Sequence, residues 1–110
     1  MNANQAARPK GGAVARQAAM LCQDPWFALY LDRRRRYKYG LSERELPDGT
    51  HNTQDARDWL VAACGITSRA ELDHFPIARQ RFLGIRQRFM NWKRRQLAIR
   101  CQWQQEARHG

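Results

Sequence analysis

The residues of this sequence that could do chemistry are mainly arginines, and two groups of them stand apart. The first follows Asp32 and consists of Arg33, Arg34, Arg35, Arg36 and Lys38, interleaved with Tyr37 and Tyr39. The second lies within residues 76–105, which contain eight basic residues and no acidic one. A guanidinium group binds phosphate oxygens in bidentate fashion and stacks on planar rings. Both groups therefore favour binding to nucleic acid.

The overall charge favours the same class of partner. Twenty Lys+Arg against ten Asp+Glu in 110 residues give a net charge of +10, and only Lys10, Lys38 and Lys93 are lysines. A charge of this size favours polyanions, which are nucleic acid first, an acidic protein surface second and an anionic membrane third. We expect no membrane partner, because the apolar residues near the C-terminus are needed for a core.

Catalytic chemistry is poorly supported. His51, His74 and His109 are scattered along the chain, and only Asp48, His51 and Asp55 could approach one another, around one loop. The sequence has no glycine-rich nucleotide loop, nucleophile elbow or cluster of carboxylates. We therefore predict that the protein is not an enzyme and uses no cofactor.

The cysteines and the N-terminus indicate a cytoplasmic protein. Cys22, Cys64 and Cys101 are odd in number and lack metal-ligand spacing, so we expect reduced thiols, and no metal site. Residues 1–19 contain no long apolar run that would form a signal peptide or a membrane span.

The elements that must position the basic residues are helices. Helical periodicity predicts a small all-α domain of about four to five helices, with a long basic helix at its C-terminal end. We expect a flexible basic arm over residues 1–12, a single helical domain over 13–105 and a disordered tail over 106–110. The arm precedes the first helix with Lys10-Gly11-Gly12, whose backbone N–H groups could bind a phosphate.

Local signals mark where the helices begin and end. Asp24-Pro25 is an N-cap followed by proline, and Thr53 is a second candidate N-cap. Gly40 and Gly65 are helix stops. Ser68 and Glu71 have the spacing of a capping box. The predicted helices run over about 13–23, 25–37 and 76–105, with another that begins after its cap Thr53 and ends before Gly65.

The last predicted helix carries an apolar seam at alternating spacings of four and three residues. Its members are Ala78, Phe82, Ile85, Phe89, Trp92, Ile99 and Trp103, with Gln96 as the polar exception. This spacing predicts a helix face that packs on its own domain. A symmetric coiled-coil dimer is disfavoured, because nearly all residues that flank the seam are positive and would face each other.

Two stretches resemble small basic proteins encoded by phages and prophages. They are residues 10–12 with 21–27, and residues 64–73 followed by Phe82, Phe89 and Trp92. The resemblance implies a setting in phage DNA metabolism, within the cytoplasm of a bacterial host. It implies no catalytic residue.

These observations predict an accessory protein that binds DNA or RNA with weak or no sequence specificity. An alternative is a protein–protein interaction module that binds an acidic partner, such as a phage-encoded inhibitor of a host enzyme. The oligomeric state stays open. The predicted phosphate-binding residues are Arg33, Arg34, Arg35, Arg36, Lys38, Arg79, Arg86, Arg88, Lys93, Arg94, Arg95 and Arg100.

Overall fold

The computed structural model describes residues 11–109, and of residue 109 only the backbone. Within this range the chain forms four α-helices and one short 3-10 helix, and no strand, which confirms the all-α prediction. Residues 1–10 of the predicted arm lie outside the described residues. The helices are α1 (Ala13–Gln23), α2 (Pro25–Tyr39), α3 (Thr53–Cys64), the 3-10 helix (Arg69–Asp73) and α4 (Pro76–His109).

The predicted helix starts agree with the structure except at α3, and α2 and α4 extend beyond their predicted ends, to Tyr39 and His109. The Asp24 side chain accepts a hydrogen bond from the backbone N–H of Trp26 at 2.9 Å, and Gly40 ends α2 in the left-handed region, at φ 61°. The N-cap of α3 is Asn52 and not Thr53. Asn52 has extended backbone and exchanges hydrogen bonds with Asp55, so Thr53 is already the first helical residue.

The predicted capping box of Ser68 and Glu71 is present, but it opens a 3-10 helix of five residues. The Glu71 carboxylate accepts hydrogen bonds from the backbone N–H groups of Thr67 and Ser68 and from the Thr67 hydroxyl. These bonds lower the pKa of Glu71, first through the backbone of Thr67. The box thus fixes the turn that follows α3.

The first half of α4 packs across the other helices and completes one core. Phe82 and Phe89 are fully buried, and the Phe89 ring lies 5.2 Å from the ring of Phe27 on α2. Leu60 of α3 and Leu72 of the 3-10 helix are also fully buried in this cluster. The predicted packing of the apolar seam on its own domain is confirmed as far as Trp92, which packs against the core with part of its surface.

The second half of α4 extends beyond the bundle. The helix has 34 residues, whereas α1, α2 and α3 have 11, 15 and 12, so they cannot cover its whole length. Ile99 and Trp103 are therefore 44% and 69% exposed, although they continue the seam. The expected disordered tail is helical to His109, because residues 105–108 favour helix and Gln102 donates a hydrogen bond to Glu106.

A buried carboxylate ties the connection between α2 and α3 to the bundle. Asp32 is fully buried, and it accepts hydrogen bonds from the backbone N–H groups of Gly49 and His51 at 2.8 and 3.0 Å. The Asp32 carboxylate also lies 2.6 Å from Nδ1 of His51. This anchor holds the loop against the side of α2.

The loop residues Asp48, His51 and Asp55 do not meet. Asp48 pairs with Arg36 at 2.7 Å, His51 with Asp32, and Asp55 with the backbone of Asn52. Their possible cluster is thereby contradicted, because each side chain has a separate structural partner.

No helix in the described part of the chain is both long enough and apolar enough to cross a membrane. The three cysteines are all free thiols, Cys22 and Cys64 in the core and Cys101 on the exposed part of α4.

Candidate nucleic-acid interface

Basic residues border the apolar seam of α4 on two opposite flanks. Positions seven residues apart lie on the same side of such a helix, so the sequence order divides the cations into two rows. We call the row beside α1 the α1 flank, and it consists of Arg79, Arg86 and Lys93. We call the row beside α3 the α3 flank, and it consists of Arg81 and Arg88, with Arg95 continuing it beyond the bundle.

The α1 flank is largely occupied by contacts within the protein. Nζ of Lys93 lies 2.7 Å from Oδ2 of Asp24, with the two side chains only 25% and 21% exposed. Arg79 donates hydrogen bonds to the backbone carbonyls of Leu72 at 3.2 Å and Asp73 at 3.3 Å. Arg86 forms no ion pair in the described chain, but it lines the same cleft as Asp24 and Lys93. This flank stabilises the fold.

The N-terminus of α1 is also occupied, by Asp73. Its carboxylate accepts hydrogen bonds from the backbone N–H groups of Gly12, Val14 and Ala15 at 2.6, 3.0 and 3.0 Å. Loss of solvent alone would raise the pKa of Asp73, but these three bonds and the nearby His74 lower it. The predicted phosphate site at Gly11 and Gly12 is therefore wrong, because an internal carboxylate already holds the N–H groups. Lys10 lies outside the described residues.

A groove of about 420 Å³ opens on the α3 flank, and we call it the Trp59 groove. It lies between α2, α3 and α4, and no acidic residue lines it. Its lining residues are Arg34, Trp59, Ala63, Gln80, Arg81, Gly84, Ile85 and Arg88.

Within residues 11–109, the three arginines of the Trp59 groove, Arg34, Arg81 and Arg88, form no ion pair. The guanidinium carbon of Arg34 lies 5.2 Å from the centre of the Trp59 ring, over its face. The Trp59 ring meets Phe27 edge-on at 6.1 Å, which fixes its orientation. The groove therefore combines positive charge with a fixed aromatic ring.

A second, smaller cleft adjoins the Trp59 groove and shares Arg34 and Trp59 with it. This cleft has a volume of about 180 Å³, and no acidic residue lines it. Arg35 and Lys38 lie 5.9 and 5.4 Å from the centre of the Tyr39 ring. We call the groove and the cleft together the Trp59 surface. Its cations are Arg34, Arg35, Lys38, Arg81 and Arg88.

The structure brings four of the predicted phosphate-binding residues together on this surface: Arg34, Arg35, Lys38 and Arg88. It places Arg36 elsewhere. Only 11% of the Arg36 side chain is exposed, and it donates hydrogen bonds to the carbonyl of Leu46 and to Asp48. Arg36 therefore holds the loop between α2 and α3.

The remaining predicted residues are dispersed. Arg79 and Lys93 are held on the α1 flank, where Arg86 also lies. Arg33 packs over Trp92 at 5.6 Å, donates a hydrogen bond to Gln96 and lies 3.8 Å from Asp48. The last three are exposed on α4 where it leaves the bundle, namely Arg94, Arg95 and Arg100.

Two members of the Trp59 surface were absent from the predicted set. Arg81 could have been found, because it precedes Arg88 by seven residues and so must lie on the same side of α4. Trp59 packs against the core with part of its surface. Its position between two clefts depends on how α2 and α4 meet α3, which no local pattern indicates.

Comparisons of the chain with models of protein families, with curated proteins and with solved structures find no match. Function is therefore inferred from the charges and contacts of the described residues.

Proposed function

We propose that this protein is an accessory protein that binds nucleic acid through the Trp59 surface. One observation carries the proposal: five cations share two adjoining clefts that no acidic side chain lines. Those cations would bind the phosphate groups of DNA or RNA. The aromatic rings of Trp59 and Tyr39 would lie against the sugars or bases.

The positions of the carboxylates support this proposal. Asp24 neutralises Lys93, and Asp48 neutralises Arg36, so the fold pairs charges where they serve structure. Like charges that are gathered without counterions repel one another and lower stability. Binding a polyanion offsets this repulsion and releases the counterions of the nucleic acid.

Weak or absent sequence specificity is part of the proposal. Arginine contacts to phosphate position a protein on nucleic acid but carry no information about base sequence. The phage or prophage setting that the sequence resemblance implies is also part of it, and an accessory role near replication or recombination would suit such a protein.

The proposal can be tested by fluorescence anisotropy with labelled single-stranded DNA, duplex DNA and RNA. If about five phosphates are neutralised, affinity falls by roughly a hundred- to five-hundred-fold between about 50 and 200 mM salt. The double variant Arg35→Glu, Arg88→Glu should lose most of this binding. No binding of any of these nucleic acids at the lowest salt would refute the proposal.

A matched control separates the Trp59 surface from net charge. The double variant Arg44→Glu, Arg108→Glu makes the same change in charge at two exposed arginines away from that surface. We expect it to retain most of the affinity, and circular dichroism should show equal helix content in both double variants. Equal losses of binding would mean that total charge, and not this surface, governs binding.

A second candidate function is favoured by the exposed end of α4. Ile99 and Trp103, four residues apart on one face of α4, are 44% and 69% exposed, next to Arg100. Such a face would suit an acidic protein partner, as in an inhibitor of a host enzyme. Binding there should depend only weakly on salt and should be lost in Trp103→Ala, whereas nucleic-acid binding should depend steeply on salt.

A further inference from the structure

We infer that the Trp59 groove accommodates a single nucleic-acid strand, with phosphate on its arginines and a base stacked on Arg34 over the Trp59 ring, in preference to a duplex. This inference rests on the proposed function and specifies the form of nucleic acid. It is supported by the shape of the groove, by the combination of aromatic and basic residues on the Trp59 surface and by the glycine that lines the groove.

The shape of the groove suits an unpaired strand. Its volume of about 420 Å³ lies between three helices, within the range typical of sites for small ligands. A duplex presents its phosphates on a convex outer surface and keeps its bases stacked inside. A single strand can turn a phosphate and an unstacked base into the same concave site.

Aromatic and cationic side chains line both parts of the surface. The cleft contributes Tyr39, Arg35 and Lys38, the groove contributes Arg81 and Arg88, and Trp59 and Arg34 line both. Proteins that bind single strands combine a basic groove with aromatic rings on which successive bases stack. Stacking on the face of a base requires that the base leave the stack of a duplex, whereas the bases of a single strand are accessible.

The Trp59 ring is fixed before any ligand arrives. Phe27 meets it edge-on at 6.1 Å from within the core, and the Arg34 guanidinium covers one face at 5.2 Å. A base can therefore stack on the guanidinium plane of Arg34 without first ordering the ring beneath it. Such preorganisation reduces the entropy lost on binding.

Gly84 lines the groove without a side chain. A glycine inside a helix lowers its stability relative to alanine, and Gly84 lies in the middle of α4. Helix packing does not require a glycine there, since an added Cβ would meet only Nη1 of Arg88, at 3.4 Å. A longer side chain at this position would extend into the Trp59 groove, so the glycine leaves this part of the groove free for a ligand.

The test fills the groove without removing a cation. Gly84→Gln introduces a good helix former, so helix content and melting temperature should be equal to or above those of the wild type. Ala98→Gln is the matched control, because residue 98 occupies the same heptad position two heptads later, on the exposed part of α4. The probes are a labelled oligothymidine strand and a mixed-sequence duplex of equal length, at one salt concentration.

We expect the wild type to bind the single strand about tenfold more tightly than the duplex. Gly84→Gln should lower affinity for the single strand by about tenfold and change duplex binding little, whereas Ala98→Gln should match the wild type. If Gly84→Gln loses helix content, Gly84→Ala replaces it, and the smaller methyl group should still weaken single-strand binding measurably.

The outcomes separate this inference from the proposed function. If the wild type binds neither probe, nor an RNA strand of the same length, the proposed function itself fails and an acidic protein partner is favoured. If it binds both probes and Arg88→Glu weakens that binding, the function stands. In that case, equal affinity for strand and duplex, or single-strand binding that is unchanged in both Gly84 variants, would overturn the inference about the groove.

Discussion

The two flanks of α4 carry the same kind of residue and differ in what surrounds them. On the α1 flank, Lys93 pairs with Asp24, and Arg79 donates to the carbonyls that end the 3-10 helix. On the α3 flank, Arg81 and Arg88 line a groove that no carboxylate lines. The cations are therefore part of the structure on one side and available to a ligand on the other.

The difference lies in the internal acceptors, which are the Asp24 carboxylate for Lys93 and backbone carbonyls for Arg79 on the α1 flank. Asp24 is the N-cap of α2 and lies beside the α1 flank, so its charge serves two roles there. The α3 flank faces Trp59 and Arg34 instead. If the two flanks differ in this way, substitutions on the α3 flank should alter the affinity for nucleic acid. Substitutions on and beside the α1 flank should alter the stability of the fold.

The largest expected effect is on nucleic-acid affinity. Arg88→Glu should lower it by about tenfold or more and reduce its salt dependence, because a phosphate contact in the groove is lost. Arg86→Glu makes the same change in charge two residues away, on the α1 flank, and should lower affinity less than about threefold. Anisotropy titrations of both variants would measure the contrast. Equal losses would show that the two flanks do not differ in function.

An intermediate effect, on stability, is expected where Asp73 caps α1. The pKa of Asp73 is lowered from its ordinary value of 3.8, so its stabilisation is complete above that value and is lost as the pH falls through the lower folded-state pKa. Asp73→Asn should therefore melt several degrees below the wild type near neutral pH, and this difference in melting temperature should disappear in acid.

Thermal unfolding followed by circular dichroism over a series of pH values would test the role of Asp73. Glu43→Gln, which removes an exposed loop carboxylate, is the control and should leave the melting temperature nearly unchanged. A gap between Asp73→Asn and the wild type that stays constant into strong acid would show that the charge of Asp73 does not stabilise α1. Nucleic-acid affinity measured near neutral pH should be the same in both variants.

The smallest effect is expected for Lys93→Met, which keeps the length of the side chain and removes its charge. It should lower the free energy of unfolding by no more than about 1 kcal/mol, because partly exposed ion pairs are weak and screened by salt. Chemical denaturation at low and high salt would measure this loss. A tenfold loss of nucleic-acid affinity in this variant would show that the α1 flank also belongs to the interface, so that the two flanks do not differ in function.

Much of the fold could be predicted from local sequence signals. Asp24-Pro25, the Ser68–Glu71 box and the glycines at 40 and 65 each specify a helix end through nearby backbone groups. The apolar seam of α4 specifies which face packs inward. The seam does not indicate where packing stops, because that depends on the lengths of the other helices.

Contacts between distant residues could not be predicted in this way. Asp73 accepts hydrogen bonds from backbone N–H groups about 60 residues earlier in the chain. Asp32 precedes a run of arginines, which suggests an exposed side chain, but it is fully buried. The candidate interface has the same limitation. The sequence indicates that arginines form the interface. Which of them share a surface depends on the placement of α2 beside α3 and α4.

The distribution of the cysteines makes the exposed end of α4 selectively accessible to chemical labelling. Burial raises the pKa of the Cys22 and Cys64 thiols, although Arg69 and Arg81 respectively act in the opposite direction. Both side chains therefore lack the exposure and the thiolate population that alkylating reagents require, whereas Cys101 is exposed. A maleimide dye would accordingly attach to the folded protein at Cys101 alone. The natural sequence thus provides a single reporter position on the part of α4 that extends beyond the bundle.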